Sequence, residues 1–346
     1  MKKIYLITND KIWFSGKRYT SNNDLNNIIT CLNSDYNVNL ICRKSSKELN
    51  FELTENFNHF DLAKINDKSL DVMLISITPY NFFILFYLLL VKRINIRGFV
   101  YLRSDGFLEY KYRYGFIGYF IYLIMFSLIK KKLKILSCSK YFTNVEVKNI
   151  LHPSELDHRW RNRQKIETKS ETDFLYVGRF KRDKGAYYLA DIFKNLLKEY
   201  KLIILGNDKK FIPKKYFANN IYYKTSTSDL SELIQIYDSA KIFILPSYIE
   251  GFPKVISESL ARLRPVIIFD EIKYVIHERD GIFVSERNEE SLRKTINHIL
   301  KNYVEIQEKI KKNYFYTKDN FKKELLEAIN IWILQMKFPS IFLVMV

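Results

Sequence analysis

The chain is poor in the residues that punctuate or cross-link a fold: 10 glycines, 7 prolines and 3 cysteines among 346 residues. So little glycine and proline excludes a collagen-like chain and a proline-rich linker protein. Cys31, Cys42 and Cys138 are odd in number and widely spaced. With no C-x-x-C pair they offer neither a disulfide framework nor a zinc site, and they favour a reducing compartment. The five histidines, at 59, 152, 158, 277 and 298, show no ligand spacing, and His152 and His158 read as solvated. No D-x-D pair occurs, so no metal is expected. A phosphate loop of the G-x-x-x-x-G-K-[ST] type is missing, as are zinc-finger and RNA-recognition signatures. The apolar start stops at Ile7 and gives way to Asn9, Asp10 and Lys11, too short for a secretory core, and it reads as a strand. The longest apolar runs, Phe82–Val91 and Phe116–Ile129, fall short of the ~20 residues a spanning helix needs.

What is present can build two cores. Hydrophobic residues make up 47% and charged residues 27%, and the length suits two domains. The net charge is +18, and the first 170 residues carry 27 Lys and Arg against 15 Asp and Glu. Part of that excess follows a general richness in Lys, Asn, Ile, Tyr and Phe. The rest suits an anionic partner: nucleic acid, an acidic lipid surface or a phosphorylated substrate. Short β-branched runs alternate with helical patterns along the whole chain. Strands are expected at Lys3–Thr8, Val38–Cys42, Val72–Ile77, Phe99–Arg103 and Ile135–Ser139 in the first half. In the second half they fall at Phe174–Gly178, Lys201–Leu205, Asn220–Tyr223, Ile242–Leu245, Pro265–Phe269 and Ile282–Val284. Two runs of such alternation predict two doubly wound parallel-sheet domains. The expected domains are 1–150 and 171–315, with a charged connector at 151–170 and a helix in 316–346 that packs back across them.

Two segments carry the chemistry. Ile242–Pro265 reads as a buried strand, a loop at Ser247–Phe252 and a helix opened by Pro253. Ligands of open α/β sheets bind at the carboxyl ends of strands, where this loop falls. Its Glu250 and the helical Glu258 are spaced as E-x7-E, and carboxylates can accept paired hydrogen bonds from sugar diols. Spacing alone equally allows a loop acid and a solvated helix acid. The second segment, Phe174–Ala186, runs from a strand through Gly178, Arg179, Lys181, Arg182 and Lys184 to Gly185 and a helix. Basic groups there can neutralise a diphosphate, Arg as a planar fork and Lys as a point charge; a solvated basic loop is the alternative.

In their order and spacing Gly178-Arg179, Lys184-Gly185, Pro246-Ser247…Glu250-Gly251-Phe252-Pro253, Val255, Glu258 and Ala261…Pro265-Val266-Ile267 resemble the retaining glycosyltransferases of family 4. The resemblance covers Phe174–Val284 and is weak in the first half. It implies the GT-B fold: two facing Rossmann-like domains with a central cleft. It also implies roles. Arg179 and Lys184 would hold the diphosphate of a nucleotide sugar donor. Glu250 and the amides of Gly251 and Phe252 would bind the donor sugar, and Glu258 the ribose. Two positions depart from the family pattern: Leu263, where a glycine often stands, and Phe269-Asp270-Glu271, where a glycine-rich turn often follows.

The first half is expected to supply the acceptor site. Asn9–Tyr19 is read as its first βα loop, and the resemblance gives Gly16 an approach to the donor phosphate. Asp105, in the run Tyr101–Gly106, is an acceptor-side base, a group that orients the sugar, or a turn acid, with Arg103 as its partner or a phosphate contact. The implied activity is transfer, with retention, of a sugar to a glycan or lipid-linked glycan in bacterial lipopolysaccharide or capsule synthesis. No cofactor and no metal are required. Lys111, Arg113, the Phe116–Ile129 run and Lys130, Lys131, Lys132 and Lys134 suggest contact with an anionic membrane surface at the cytoplasmic face. Two other readings stay open: a nucleotide-sugar epimerase or hydrolase of the same fold, and a basic nucleic-acid-binding protein, against which the organised motifs argue.

Overall fold

The computed structural model describes residues 2–337 apart from 17, 50, 54, 55, 60, 141, 143–146, 148, 162–171 and 278. Lys17, residues 162–170 of the expected connector and the apolar end Ile341–Val346 lie outside the described residues. The chain divides into two compact units, Met1–His152 with Asp319–Val346, and Pro153–Lys318.

The first unit is built on strands β1 (Lys2–Ser15), β2 (Arg18–Ser21), β3 (Tyr36–Lys44), β4 (Phe51–Glu52), β5 (Asn58–His59), β6 (Ser69–Ile75), β7 (Asn95–Leu102), β8 (Lys134–Ser137) and β9 (Asn149–Ile150). Its parallel part has the order β5-β3-β1-β6-β7-β8-β9. Helices α1 (Asn23–Leu32), α2 (Pro79–Phe86) and α3 (Gly106–Lys130) connect the strands. Leu6, Ile7, Leu40, Val72, Leu74 and Val100 are fully buried, as a sheet covered on both faces requires. Helix α1 starts where Asn22 accepts a hydrogen bond from the Leu25 amide at 2.8 Å.

One expectation is corrected here. Asn9–Tyr19 is not a βα loop. Strand β1 shifts register between Ile7 and Lys11, continues through Ile12-Trp13-Phe14 and pairs antiparallel with β2. Gly16, at φ 59°, turns that hairpin, with open space around it. The β-forming residues Trp13, Phe14, Tyr19 and Thr20 favour extended pairing over a phosphate-cradling loop.

Helix α3 has an unusual course. Gly115 is non-helical, at φ 64° and ψ −152°, a conformation open essentially to glycine alone. The arms on either side of it fold together. A Cβ built on Gly106 would stand 2.0 Å from the Tyr122 ring, and one on Gly118 would stand 2.2 Å from the Tyr110 carbonyl. The Phe107 ring lies 4.8 Å from that of Tyr122 and 5.3 Å from that of Phe126. In a straight helix residues 106 and 122 would be about 24 Å apart. The element is therefore an antiparallel helical hairpin with its tip at Gly115.

The second unit has a six-stranded parallel sheet of β10 (Thr172–Val177), β11 (Leu202–Gly206), β12 (Ile221–Thr225), β13 (Ala240–Leu245), β14 (Val266–Phe269) and β15 (Ile282–Ser285), in the order β12-β11-β10-β13-β14-β15. Helices α4 (His158–Arg161), α5 (Ala186–Asn195), α6 (Leu230–Asp238), α7 (Lys254–Ala261), α8 (Glu289–Lys301) and α9 (Tyr303–Ile310) complete it. Numbered within the unit the order is 3-2-1-4-5-6, that of a dinucleotide-binding Rossmann sheet. The start of the expected connector is folded: Trp160 is buried against Tyr237, and its carbonyl accepts from Arg262 at 2.7 Å. The last helix, α10 (Lys318–Lys337), belongs almost wholly to the first unit. There Asn330 accepts from the Tyr36 hydroxyl, and Glu324 takes the backbone amide and the ring Nδ1 of His152 at 2.7 and 2.9 Å. His152 is thus paired, contrary to the expectation of a solvated ring.

Burial raises the pKa of several neutral acids in the first unit. The Cys42 and Cys138 thiols rise from 9.0 to about 12, and the Tyr5, Tyr36 and Tyr110 hydroxyls from 10.0 to about 12. The native state therefore holds protons that the unfolded chain releases, and stability falls as pH rises from about 9 toward 12. Urea midpoints measured from pH 7 to 11 should be flat at first and decline above pH 9. A midpoint that holds through pH 11 would contradict this.

Candidate active site

In the second unit the strand order reverses between β10 and β13, so the loops after these two strands flank a crevice at their carboxyl ends. Gly185 fits them together. It caps α5 at φ 66°, and a Cβ there would stand 1.7 Å from the Pro246 carbonyl oxygen. The Tyr248 amide also donates to the Asp183 carbonyl at 3.1 Å. This close approach brings Lys184 to Glu250: Nζ lies 2.7 Å from Oε1, with the two side chains 23% and 12% exposed. Fully buried Ser247 donates its hydroxyl to the same Oε1 at 2.6 Å. The loop backbone is braced as well, because Tyr274 donates to the Glu250 carbonyl at 2.6 Å and accepts from its amide at 3.1 Å.

The expected site residues are placed as follows. Glu250 and Lys184 meet as an ion pair. Arg179 is exposed at the mouth of the β10 loop, its carbonyl accepting from the Tyr176 hydroxyl at 3.0 Å. Gly251 is buried, and the Phe252 ring lies 6.1 Å from that of His277. Glu258 is 9% exposed on α7, and its Oε2 accepts from the Tyr237 hydroxyl at 2.7 Å. Burial, and then that carboxylate, hold the Tyr237 hydroxyl far above the ordinary tyrosine range.

Arg287 is a site residue that sequence reasoning missed. It follows β15 and donates to the Pro246 and Ser247 carbonyls at 2.7 and 3.0 Å, and to Glu271 at 2.6 Å. Its guanidinium carbon stands 3.9 Å from the Tyr248 ring centre and 4.5 Å from that of Phe269. A basic residue just past a strand's carboxyl end was the available signal. The departure at Phe269-Asp270-Glu271 also acquires a role: a 3₁₀ turn, Asp270–Val275, supplies both Glu271 and Tyr274 to brace the loop. Leu263 keeps the glycine-like conformation at φ 60° although it is a buried leucine.

In the first unit the order reverses between β1 and β6, and a cavity of about 550 Å³ lies there. It is lined by Asn9, Asp10, Ser76, Arg103 and Ser104, and by Tyr110, Tyr114 and Ile121 of the hairpin. Arg103 reaches Asp10 at 3.3 Å and Asp24 at 3.9 Å. Asp105 is a correction. It is 3% exposed, caps α3 by accepting from the Phe107 and Leu108 amides at 2.9 and 3.1 Å, and does not line the cavity. The lining carboxylate beside Arg103 is Asp10, placed where β1 shifts register.

The fold is GT-B. Anabaena HepE, solved with UDP and glucose, aligns over 95% of this chain and 100% of its own with a TM-score of 0.64 and 12% identity. Residues 158–315, all within the second unit, match the family model of glycosyl transferases group 1. An uncharacterized glycosyltransferase of Methanocaldococcus jannaschii is 25% identical over 59% of each chain. The capsular polysaccharide biosynthesis glycosyltransferase CapM of Staphylococcus aureus is 28% identical over 36% of this chain and 38% of its own. The chain spans about half the length of the curated relatives it matches.

Variants at two positions test the local geometry. Gly185→Ala should destabilise the protein by ~2–3 kcal/mol, read as a lower urea midpoint, because neither the left-handed backbone nor the Pro246 carbonyl admits a Cβ. Asp105→Asn should keep both stability and activity, since asparagine caps as well as aspartate, whereas Asp105→Ala should lose ~1 kcal/mol of stability. A hundredfold loss of activity in Asp105→Asn would restore it as a base.

Proposed function

We propose that the protein transfers a sugar, with retention of configuration, from a nucleotide diphosphate sugar to a glycan or lipid-linked glycan in bacterial surface polysaccharide synthesis. The observation that carries this reading is the cluster of Lys184, Glu250 and Ser247 at the switch point between β10 and β13. A carboxylate that is held in place by a lysine and a hydroxyl, and is still 12% exposed, suits recognition of sugar hydroxyls beside a diphosphate. The bound UDP of HepE and the pathway named for CapM support the same donor and acceptor classes.

Arg179 and Lys184 take the donor diphosphate, Glu250 with the Gly251 and Phe252 amides takes the sugar, and Glu258 takes the ribose. The bond from the anomeric carbon to the diphosphate breaks with its electron pair going to the phosphate oxygen. The acceptor oxygen then bonds to the same face, and its proton passes to the leaving phosphate. Two cations stabilise the charge that develops there, each contributing on the order of 3–4 kcal/mol in a water-poor site. Arg103 and Asp10 serve the acceptor. The proposed setting is the cytoplasm, at the inner face of the cell membrane; the three free thiols suit a reducing compartment.

The test is transfer from radiolabelled nucleotide sugars to a bacterial lipid and glycan extract. Arg179→Ala and Lys184→Ala should each lower kcat about 10²–10³-fold. Arg179→Lys should also be impaired, because a point charge does not replace a planar fork. Glu250→Gln should lower kcat, and Glu258→Gln should mainly raise KM. Wild-type kinetics in both Gln variants, or no transfer from any donor, would overturn the reading.

A further inference from the structure

The α3 hairpin exposes an apolar surface that nothing among the described residues of its own unit covers. Tyr114, Phe116 and Ile117, around the tip, are 63%, 71% and 73% exposed, and Phe120, Ile121 and Ile124 are 58%, 46% and 59% exposed. Helix α2, which packs against α3, and the turn after it add Phe83 at 69%, Leu90 at 70% and Val91 at 66%. Soluble monomers rarely leave so many large apolar side chains in water on neighbouring elements. The surrounding charge has one sign. Lys111 and Arg113 precede the tip, and Lys130, Lys131, Lys132 and Lys134 follow the second arm, all exposed. Glu109 is the one acidic residue in Gly106–Lys130. Lys111 Nζ lies 5.3 Å from the Phe116 ring centre, a cation beside an aromatic at the tip.

By length and composition Gly106–Lys130 could cross a membrane. The turn at Gly115 removes that option for this fold. The longer arm is about 22 Å long, short of the ~30 Å hydrocarbon core, and the chain returns on the side it entered. Tyrosines and lysines around an apolar tip are the composition of an element that lies in one leaflet.

We propose that the α3 hairpin inserts its tip into one leaflet of an anionic membrane, and that the adjoining cavity receives the head group of a lipid-linked acceptor. Tyr114 and Ile121 belong both to the exposed apolar surface and to the cavity lining, so the two features are continuous. Asn9, Asp10, Ser76 and Arg103 line the same cavity with groups that bind hydroxyls and phosphate. An amphiphile with a sugar-phosphate head and an apolar tail matches both parts. The membrane contact stands on the hairpin alone; the acceptor rests on the transferase reading above.

The experiment is co-sedimentation of the full chain with phosphatidylcholine vesicles, with and without about 30% phosphatidylglycerol. Wild type should bind the anionic vesicles at least about tenfold more tightly, and salt should weaken that binding. The triple variant Phe116→Ser, Ile117→Ser, Phe120→Ser changes exposed residues, should fold normally by circular dichroism, and should lose at least about tenfold in vesicle binding. In Phe116→Trp, tail-brominated lipid should quench the added fluorescence. Failure of wild type to bind at low salt, equal binding by the triple variant, or no quenching would overturn the proposal; binding of acidic soluble proteins in place of vesicles would do the same. Nucleotide-sugar binding by the triple variant should be unchanged. It should lose transfer to a vesicle-borne acceptor and keep transfer to a water-soluble glycan. Equal loss of both would overturn the cavity assignment. Vesicle binding without any transfer would sink the transferase reading and leave the membrane contact standing.

Discussion

The candidate site of the second unit depends on one close approach. The Gly185 Cα sits so near the Pro246 carbonyl that no side chain fits between them. Two loops, each following its own strand, are thereby held as one surface, and Lys184 and Glu250 meet on it. The bracing is layered. Arg287 grips the Pro246 and Ser247 carbonyls from one side and Tyr274 grips Glu250 from another. A loop so tied holds its carboxylate in one place before any ligand arrives, which is the condition for binding that does not first have to order the protein.

Much of the second unit was legible because its strands are short, β-branched and buried on both faces, so pattern and burial agree. The E-x7-E spacing and the basic loop could be located without the structure. The partner choices could not. Lys184 bonds to Glu250 and Glu258 bonds to Tyr237, contacts between residues 66 and 21 positions apart that no local rule links. Arg287 escaped notice for the same reason, since its work is done on carbonyls some forty residues away. The first unit was harder to read. Asn9–Tyr19 contains polar residues and a glycine, which suggested a loop; its alternation of aromatic and β-branched residues prevailed, and the segment paired as a hairpin. Asp105 was located correctly, but its carboxylate caps a helix.

The two units repeat one arrangement. In each the parallel order reverses beside the first strand, and in each a carboxylate and a cation meet there: Glu250 with Lys184, Asp10 with Arg103. The settings differ. Glu250 shares its oxygen with a buried serine, whereas the Asp10 pair lies in a cavity walled in part by aromatic and aliphatic side chains of α3. One unit thus offers a compact polar site and the other a roomier, amphipathic one.

Gly115 sets how far the apolar stretch around it can reach. Without the backbone angles it supplies, Gly106–Lys130 would run straight for about 37 Å, longer than the ~30 Å apolar slab of a bilayer. One residue with no side chain thus separates an apolar stretch that doubles back on itself from one that could reach across the whole slab.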